Sequence, residues 1–451
     1  MASSQGTIRD LLRNRRYAYY LASRVSLIVA TQMLSVAVGW QVFQITGRAL
    51  SLGFSGLALF LPGFFLALPG GHVADRRDRR SILLICHLGV VLCAASLTLM
   101  AYQPTRTMLF GEHRARSLIP IYVVLGLLGT IRAFSGPAGQ ALMPSLVARS
   151  ELERAVALGS STWQLAMIVG PSVGGALYAA TGRPEVVYAA VTVMAFMAFL
   201  AVAGIGKAPA STDVKRREPP SWSTLLAGIR YVWSNKPILG AISLDLFAVL
   251  LGGAVALLPI FAHELDVGPW GMGMLRSAPA VGASAVALWL ARYPLRHRAG
   301  AVMFVCVLIF GIATIVFGLS RSFAISLVAL LILGASDMIS VVVRSTLIQT
   351  RTPDEMRGRV GAVNMVFIGA SNELGEFESG VTAEWLTPRI AVLVGGIGTC
   401  IVVAVWALLF PALRNLPREK AFKCGPPENA RAWSAIKDEF FRGLDATAPC
   451  P

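Results

Sequence analysis

Charge is what this chain has least of. Asp, Glu, Lys and Arg together make up 14% of its 451 residues, while 55% are hydrophobic. Soluble domains carry roughly a quarter charged residues, so water is not the main solvent of this sequence. Histidine is also scarce: His72, His87, His113, His263 and His297 stand isolated, which leaves no spacing for a metal site, and none is expected. The six cysteines, Cys86, Cys93, Cys306, Cys400, Cys424 and Cys450, show neither metal nor redox spacing. The first four fall in apolar runs and read as small packing residues. A Gly-x-x-x-x-Gly-Lys phosphate cradle is missing, so direct ATP drive is not expected. The chain does not read as an enzyme, and no cofactor is implied beyond an ion gradient as energy source.

What the chain does have is twelve apolar runs, each long enough to cross about 30 Å of hydrocarbon as a helix. They span 17–43, 50–70, 81–101, 118–142, 157–180, 185–205, 238–262, 271–291, 300–319, 323–348, 360–385 and 389–411. The runs are continuous and carry Gly and Pro, unlike the short alternating strands of a barrel. The first is interrupted by Arg24 and Gln32 and lacks a clear small-residue cleavage site, so it is expected to remain as a helix rather than leave as a signal peptide.

The formal charge of +16 suggests nucleic acid only until its distribution is considered. With the N-terminus in the cytoplasm, cytoplasmic segments hold 29 of the 40 Lys and Arg, outer loops hold seven, and Arg24, Arg132, Arg276 and Arg344 fall inside spans. That asymmetry predicts both termini inside and makes the lipid bilayer, not nucleic acid, the partner.

Between spans 6 and 7 the sequence turns polar, from Lys207 through Lys215, Arg216, Arg217, Glu218, Pro219 and Pro220. Ser221 then reads as an N-cap before Trp222, Leu225, Leu226, Ile229 and Trp233, predicting a short amphipathic helix on the inner membrane face, ended by Pro237. A shift of 205 residues places Gly129 on Gly334, Arg132 on Asp337, Gly170 on Gly375 and Gly175 on Gly380, a repeat weak in identity that relates helices 4 and 5 to 10 and 11. The expectation is an all-α membrane protein of twelve transmembrane helices in two pseudo-symmetric six-helix bundles. The N-terminal bundle covers 1–206, the connector 207–237, the C-terminal bundle 238–411 and a cytoplasmic tail 412–451. In the tail, Trp433, Ile436, Phe440, Phe441 and Leu444 share one helical face, leaving a surface helix or partial disorder open.

Three motifs carry the function. After span 2 comes Gly71-His72-Val73-Ala74-Asp75-Arg76-Arg77-Asp78-Arg79-Arg80. Span 4 holds Ile131-Arg132-Ala133-Phe134-Ser135-Gly136-Pro137, and span 5 holds Gly170-Pro171-Ser172-Val173-Gly174-Gly175. This set resembles the major facilitator superfamily. The resemblance implies an inner gate latch at Gly71, Asp75, Arg76, Arg79 and Arg80, with Asp75 near the N-terminus of helix 11. It associates Arg132 with proton transfer, and it gives Gly170, Pro171, Gly174 and Gly175 the bend of the antiporter branches. Asp78 departs from the pattern, where the family usually has Gly for a tight turn.

Span 11 is the most unusual stretch, with Glu373, Glu376 and Glu378 at membrane depth. Helical spacing puts Glu373 and Glu376 on one face, where they can share a proton, and turns Glu378 well away. The structural alternative has each Glu held by Arg344, Arg132 or backbone donors to pack the bundles. Asp245 in span 7 and Asp337 in span 10 add two carboxylates, and Arg344 lies two turns from Asp337 on nearly the same face, predicting a polar network in the C-terminal half; with Glu373, Glu376, Glu378 and Arg132 these three are the candidate proton-coupling residues. Trp40, Gln41, Gln44, Trp163, Gln164 and Asn364 are candidate cavity-lining residues, Trp40 being equally suited to an interfacial belt. Residues 242–253, Arg357-Gly358-Arg359-Val360 and the Glu-rich span together resemble the branch of enterobactin (siderophore) exporters and related drug-efflux proteins, over about residues 5–411. That resemblance implies proton-driven export of a small amphipathic molecule from the cytoplasm of a bacterium, across the inner membrane, by a protein able to work as a monomer. An importer or lysophospholipid flippase on the same scaffold, or a receptor without turnover, are the other readings.

Overall fold

The computed structural model describes residues 8–102, 118–206, 222–293 and 299–414. A short helix, Ile8–Arg13, precedes twelve long helical segments among these residues. In the first half they are α1 (Arg15–Thr46), α2 (Ala49–Arg76), α3 (Arg79–Ala101), α4 (Ile119–Leu142), α5 (Leu152–Thr181) and α6 (Pro184–Gly204). In the second they are α7 (Lys236–Leu251), α8 (Gly268–Arg292), α9 (Ala299–Leu319), α10 (Phe323–Arg351), α11 (Asp354–Trp385) and α12 (Pro388–Leu409). Ten of the twelve, α7 counted with its continuation to Glu264, are apolar and long enough to cross a membrane. The other two, α5 and α11, are equally long but carry the polar motifs.

Local chemistry sets the ends. Asn14 caps α1 by accepting from the Arg16 and Tyr17 amides, and Gly47 closes it at φ 65°, a left-handed conformation that glycine adopts without strain. Pro120, Pro237, Pro269 and Pro388 stand in the first turns of α4, α7, α8 and α12, where a missing N–H costs nothing.

Two expected boundaries change. Pro237 does not end the connector helix, which runs Trp222–Ser234; it opens α7, with the Asn235 side chain as cap. Ser221 lies outside the described residues. The connector helix leaves Leu226 and Trp233 exposed and packs through Gly228 against the Arg359 backbone of α11. The expected single span 238–262 is broken: α7 stops at Leu251, a 3-10 turn covers Ala254–Leu257, and Leu258–Glu264 resumes. The Gly252-Gly253 pair permits the break, and Gly253 there lies directly against the Gly375 carbonyl of α11.

The packing repeats between halves. α1 contacts α5 and α6 as α7 contacts α11 and α12. α2 packs on α4 as α8 packs on α10, and α3 packs on α4 and α6 as α9 packs on α10 and α12. The glycines of the 205-residue repeat occupy equivalent places: Gly129 meets the Leu59 carbonyl of α2 and Gly334 the Pro279 carbonyl of α8. Gly170 faces Val29 and Gln32 of α1, and Gly375 faces Val249 and Leu250 of α7. Small residues here let helix backbones approach where lipid supplies no hydrophobic drive.

The halves meet through two main helix pairs, α5 with α8 and α2 with α11. Each has a glycine pair at its closest point: a Cβ on Gly175 would fall 2.9 Å from the Gly273 Cα, and one on Gly380 would fall 2.8 Å from the Gly53 Cα. All of this lies toward the end of the molecule that carries the Gly47 turn. One continuous apolar core there draws residues from both halves, from Val29 to Val392. At the opposite end, which carries Asp78, the core divides. Tyr17, Ile82, Leu142 and Val202 pack in the first half, and Ile238, Met303, Leu347 and Val403 pack separately in the second. The molecule is therefore closed between its halves at the Gly47 end and split at the Asp78 end.

Candidate transport site at the seam between the halves

Helix α11 places Glu373 and Glu376 on the face that meets the first half. Arg132 of α4 donates from Nη1 to Glu373 Oε1 at 3.3 Å, an ion pair across the seam. The Arg132 side chain is 73% exposed and that of Glu373 17%, so the arginine stands on the open wall and the acid behind it. Glu376 lies against α2, where the bare backbone of Gly56 makes room: a Cβ there would sit 3.0 Å from Glu376 Oε2. The charges of Arg132 and Arg276 act on both carboxylates. Two acids of one half thus meet an arginine of the other across one seam.

Glu378 turns away, as its spacing predicts, and accepts from Thr382 Oγ1 at 2.7 Å within α11. It belongs to its own helix rather than to the seam. The other charged cluster is buried inside the second half. Arg344 of α10 pairs with Asp245 of α7, with side chains 4% and 7% exposed. Asp337 shares a small pocket with Asp245. Of the expected network, the Arg344–Asp245 pair is present, the arginine being satisfied by the neighbouring helix, while Asp337, two turns away on its own helix, only shares the pocket.

The cavity candidates separate into two groups. Trp40 and Gln41 are buried in the shared core, and Gln41 Oε1 accepts from the Tyr188 hydroxyl at 2.6 Å. Gln44 Oε1 accepts from the Tyr178 hydroxyl at 2.8 Å. Gln41 thereby ties α1 to α6 and Gln44 ties α1 to α5; Trp40 and Gln41 are buried and do not face an open wall, whereas Gln44 is exposed. Gln164 reaches the seam, donating to the Ala280 carbonyl of α8 at 3.1 Å, and Trp163 beside it is exposed. Asn364 holds a buried Oδ1 with no hydrogen-bond partner among the described residues.

At the split end, the α2–α3 motif works within its own half. Arg79 donates to the Ala141 carbonyl at 3.2 Å, and Arg80 donates to those of Val202 and Ala203 at 3.2 and 2.7 Å. Gly71 and Asp75 end α2 and Arg76 is exposed; the Asp75 side chain lies outside the described residues. The departure at Asp78 has a clear purpose. Its backbone is extended, with φ −60° and ψ 117°, and its carboxylate accepts from the Ser81 amide and hydroxyl at 2.9 and 2.6 Å, capping α3. The bond from Ser81 holds the Asp78 carboxyl below its ordinary pKa.

Helix α5 runs unbroken through Pro171, and its glycines divide the work: Gly170 and Gly174 admit α1, while Gly175 admits α8. Sequence reasoning did not link Arg276, visible as an arginine inside span 8, to the acids on which its charge acts. It also missed Gly56 and Gly273, whose only signal is membership of glycine-rich helices.

A profile described as transmembrane secretion effector matches residues 12–428. The chain belongs to this family, within the major facilitator superfamily. It is 29% identical over 416 residues to the enterobactin exporter EntS of Citrobacter koseri, covering 91% of this chain and 95% of that one. Among solved structures, a bacterial homologue of the human lysosomal transporter Spinster superposes with a TM-score of 0.65 at 13% identity, covering 89% of this chain and 99% of the other. A D-xylose–proton symporter gives 0.65 at 11% identity, covering 91% and 100%. The chain is thus a multi-pass membrane transporter and not an enzyme, and its two-bundle architecture is that of the superfamily.

Proposed function

We propose that the protein exports a small amphipathic molecule, siderophore or drug-like, by proton-coupled alternating access. The observation that carries this reading is the Glu373–Glu376 pair on the seam, with Arg132 of the other half bonded to Glu373. A bound proton biases a conformational equilibrium only if its affinity differs between the two conformations. An ion pair made across the seam meets that condition, because separating the halves there takes Arg132 away from Glu373 and changes what the acid gains by ionising. With both termini in the cytoplasm, as the lysines and arginines favour, the split end faces inward and admits substrate from the cytoplasm. Rotation of the halves then opens the Gly47 end to the periplasm and exchanges substrate for protons. One chain supplies both walls of the site, so a monomer suffices. Export rather than import is supported by the similarity to an enterobactin exporter and by the Gly170-Pro171-Ser172-Val173-Gly174-Gly175 motif.

The test is transport of labelled catecholate siderophores and amphipathic drugs into inverted vesicles, with and without an uncoupler. Wild-type uptake is expected to collapse with the uncoupler. The double variant Glu373→Gln/Glu376→Gln is expected to insert normally and lose gradient-driven transport. Proton-driven flux unchanged in that variant would remove the assignment.

A further inference from the structure

The second half holds a pocket apart from the seam, enclosed by α7, α9 and α10. Its lining is Asp245, Ser336, Asp337 and Ser340, with Ala248, Val249, Val307 and Phe310 completing the wall. The polar members sit on two helices, α7 and α10, and α9 contributes only apolar carbons. It has room for a single water-sized occupant.

Charge in this pocket does not balance. Asp245 is paired with Arg344. Asp337 has neither a hydrogen bond nor an ion pair among the described residues, so two carboxylates face one guanidinium. A second, independent feature points the same way. Ser340, 1% exposed, lines the pocket, and its buried hydroxyl has no hydrogen-bond partner among the described residues. A buried hydroxyl without a partner is costly to keep, so one lining a polar pocket points to an occupant there. Ser336 already donates to the Ile332 and Leu333 carbonyls, at 2.6 and 3.0 Å, and so presents lone pairs rather than a proton to the pocket.

We propose that this pocket binds one sodium ion. The donor set is all oxygen: the Asp337 carboxylate, the Asp245 oxygen not held by Arg344, and the Ser336 and Ser340 hydroxyls. Hard oxygen donors without His or Cys suit an alkali or alkaline-earth cation. The uncompensated charge is a single unit, which a monovalent ion neutralises and a divalent ion would reverse. Arg344 plays a positioning part, fixing the Asp245 carboxylate toward α10 and holding the net charge at one. Bound sodium would draw α7 and α10 together inside the second half. The site uses neither Glu373 nor Glu376, so it stands or falls separately from the direction and energy source of transport.

The experiment is thermal unfolding of the purified protein in nanodiscs, with sodium chloride replacing choline chloride at constant ionic strength and potassium chloride as the size control. The wild type is expected to gain stability saturably with sodium and not with potassium. Asp337→Asn is expected to abolish the sodium response. Ser340→Ala, which removes one neutral ligand without disturbing the carboxylates, is expected to weaken the half-saturating concentration on the order of tenfold. A response equal for sodium and potassium, one retained in both variants, or stabilisation that follows pH with no sodium term would overturn the proposal. None of these outcomes depends on a transport assay, so failure here is distinguishable from failure of the export reading.

Discussion

At the scale of single residues, burial decides which charges matter. Arg344 and Asp245 are almost wholly enclosed, so removing one partner strands the other in a low-dielectric interior. Asp245→Ala is expected to destabilise the protein by about 3–5 kcal/mol, read as a lowered unfolding midpoint in detergent, whereas Asp245→Leu with Arg344→Met is expected to lose far less. A double variant as damaged as the single one would mean that the pair's geometry, not its charge, holds α7 to α10. Asp78 gives a contrasting case at the surface. Replacing it by Ala removes an N-cap and is expected to cost about 1 kcal/mol at neutral pH. Because the folded-state pKa of Asp78 is depressed, that contribution is present above the unfolded carboxylate pKa and disappears as the pH falls through the folded value. The stability gap between wild type and Asp78→Ala should therefore hold at pH 7 and close in strong acid; a gap independent of pH would sink the capping role. The sequence made the acids of span 11 and the arginine of span 4 legible, since charges at membrane depth are conspicuous. Arg132 was legible as a holder of those glutamates, and it pairs with Glu373, but the partner of Arg344 was not legible. The spacing of Asp337 and Arg344 along one helix suggested a neighbour, but the partner came from α7, and which helix packs alongside is a tertiary fact.

At the scale of elements, polarity and glycine explain what hydropathy alone obscures. α5 and α11, read from the sequence as apolar runs like the other ten, are the least membrane-like of the long helices, and both line the contact between the halves. The α7 interruption escaped notice, since Gly252-Gly253 inside an apolar run reads equally as packing or as a break until α11 is seen against it. The α5–α8 contact offers a direct test of motion. Ser172 and Ser277 oxygens are 2.8 Å apart across the seam. The pair Ser172→Cys/Ser277→Cys should cross-link on mild oxidation and arrest transport, with recovery on reduction. Transport that continues in the linked protein would show that α5 and α8 never part.

At the scale of the whole molecule, the question is what holds the Gly47 end shut while the Asp78 end is divided. Glycine contacts allow the approach but do not supply charge complementarity. Glu384, at the end of α11, accepts from Arg48 Nε at 2.8 Å and from the Leu50 amide at 3.3 Å. One half thereby pairs with the other and caps the first turn of its α2. The Arg48 side chain is 62% exposed, so solvent screens the ion pair and its contribution falls under about 1 kcal/mol. That is enough to move a two-state equilibrium by up to about fivefold and no further. Glu384→Gln is therefore expected to raise the population open at the Gly47 end by a factor of roughly two to five. Pulsed electron-spin distances between labels placed near the ends of α2 and α11 would read the shift. Raising the salt concentration should mimic the substitution in the wild type and have little added effect in the variant, because ions screen the same pair that the substitution removes. An unchanged distance distribution in the variant would assign closure to the packed helices alone, with the charged pair a consequence of closure rather than a cause.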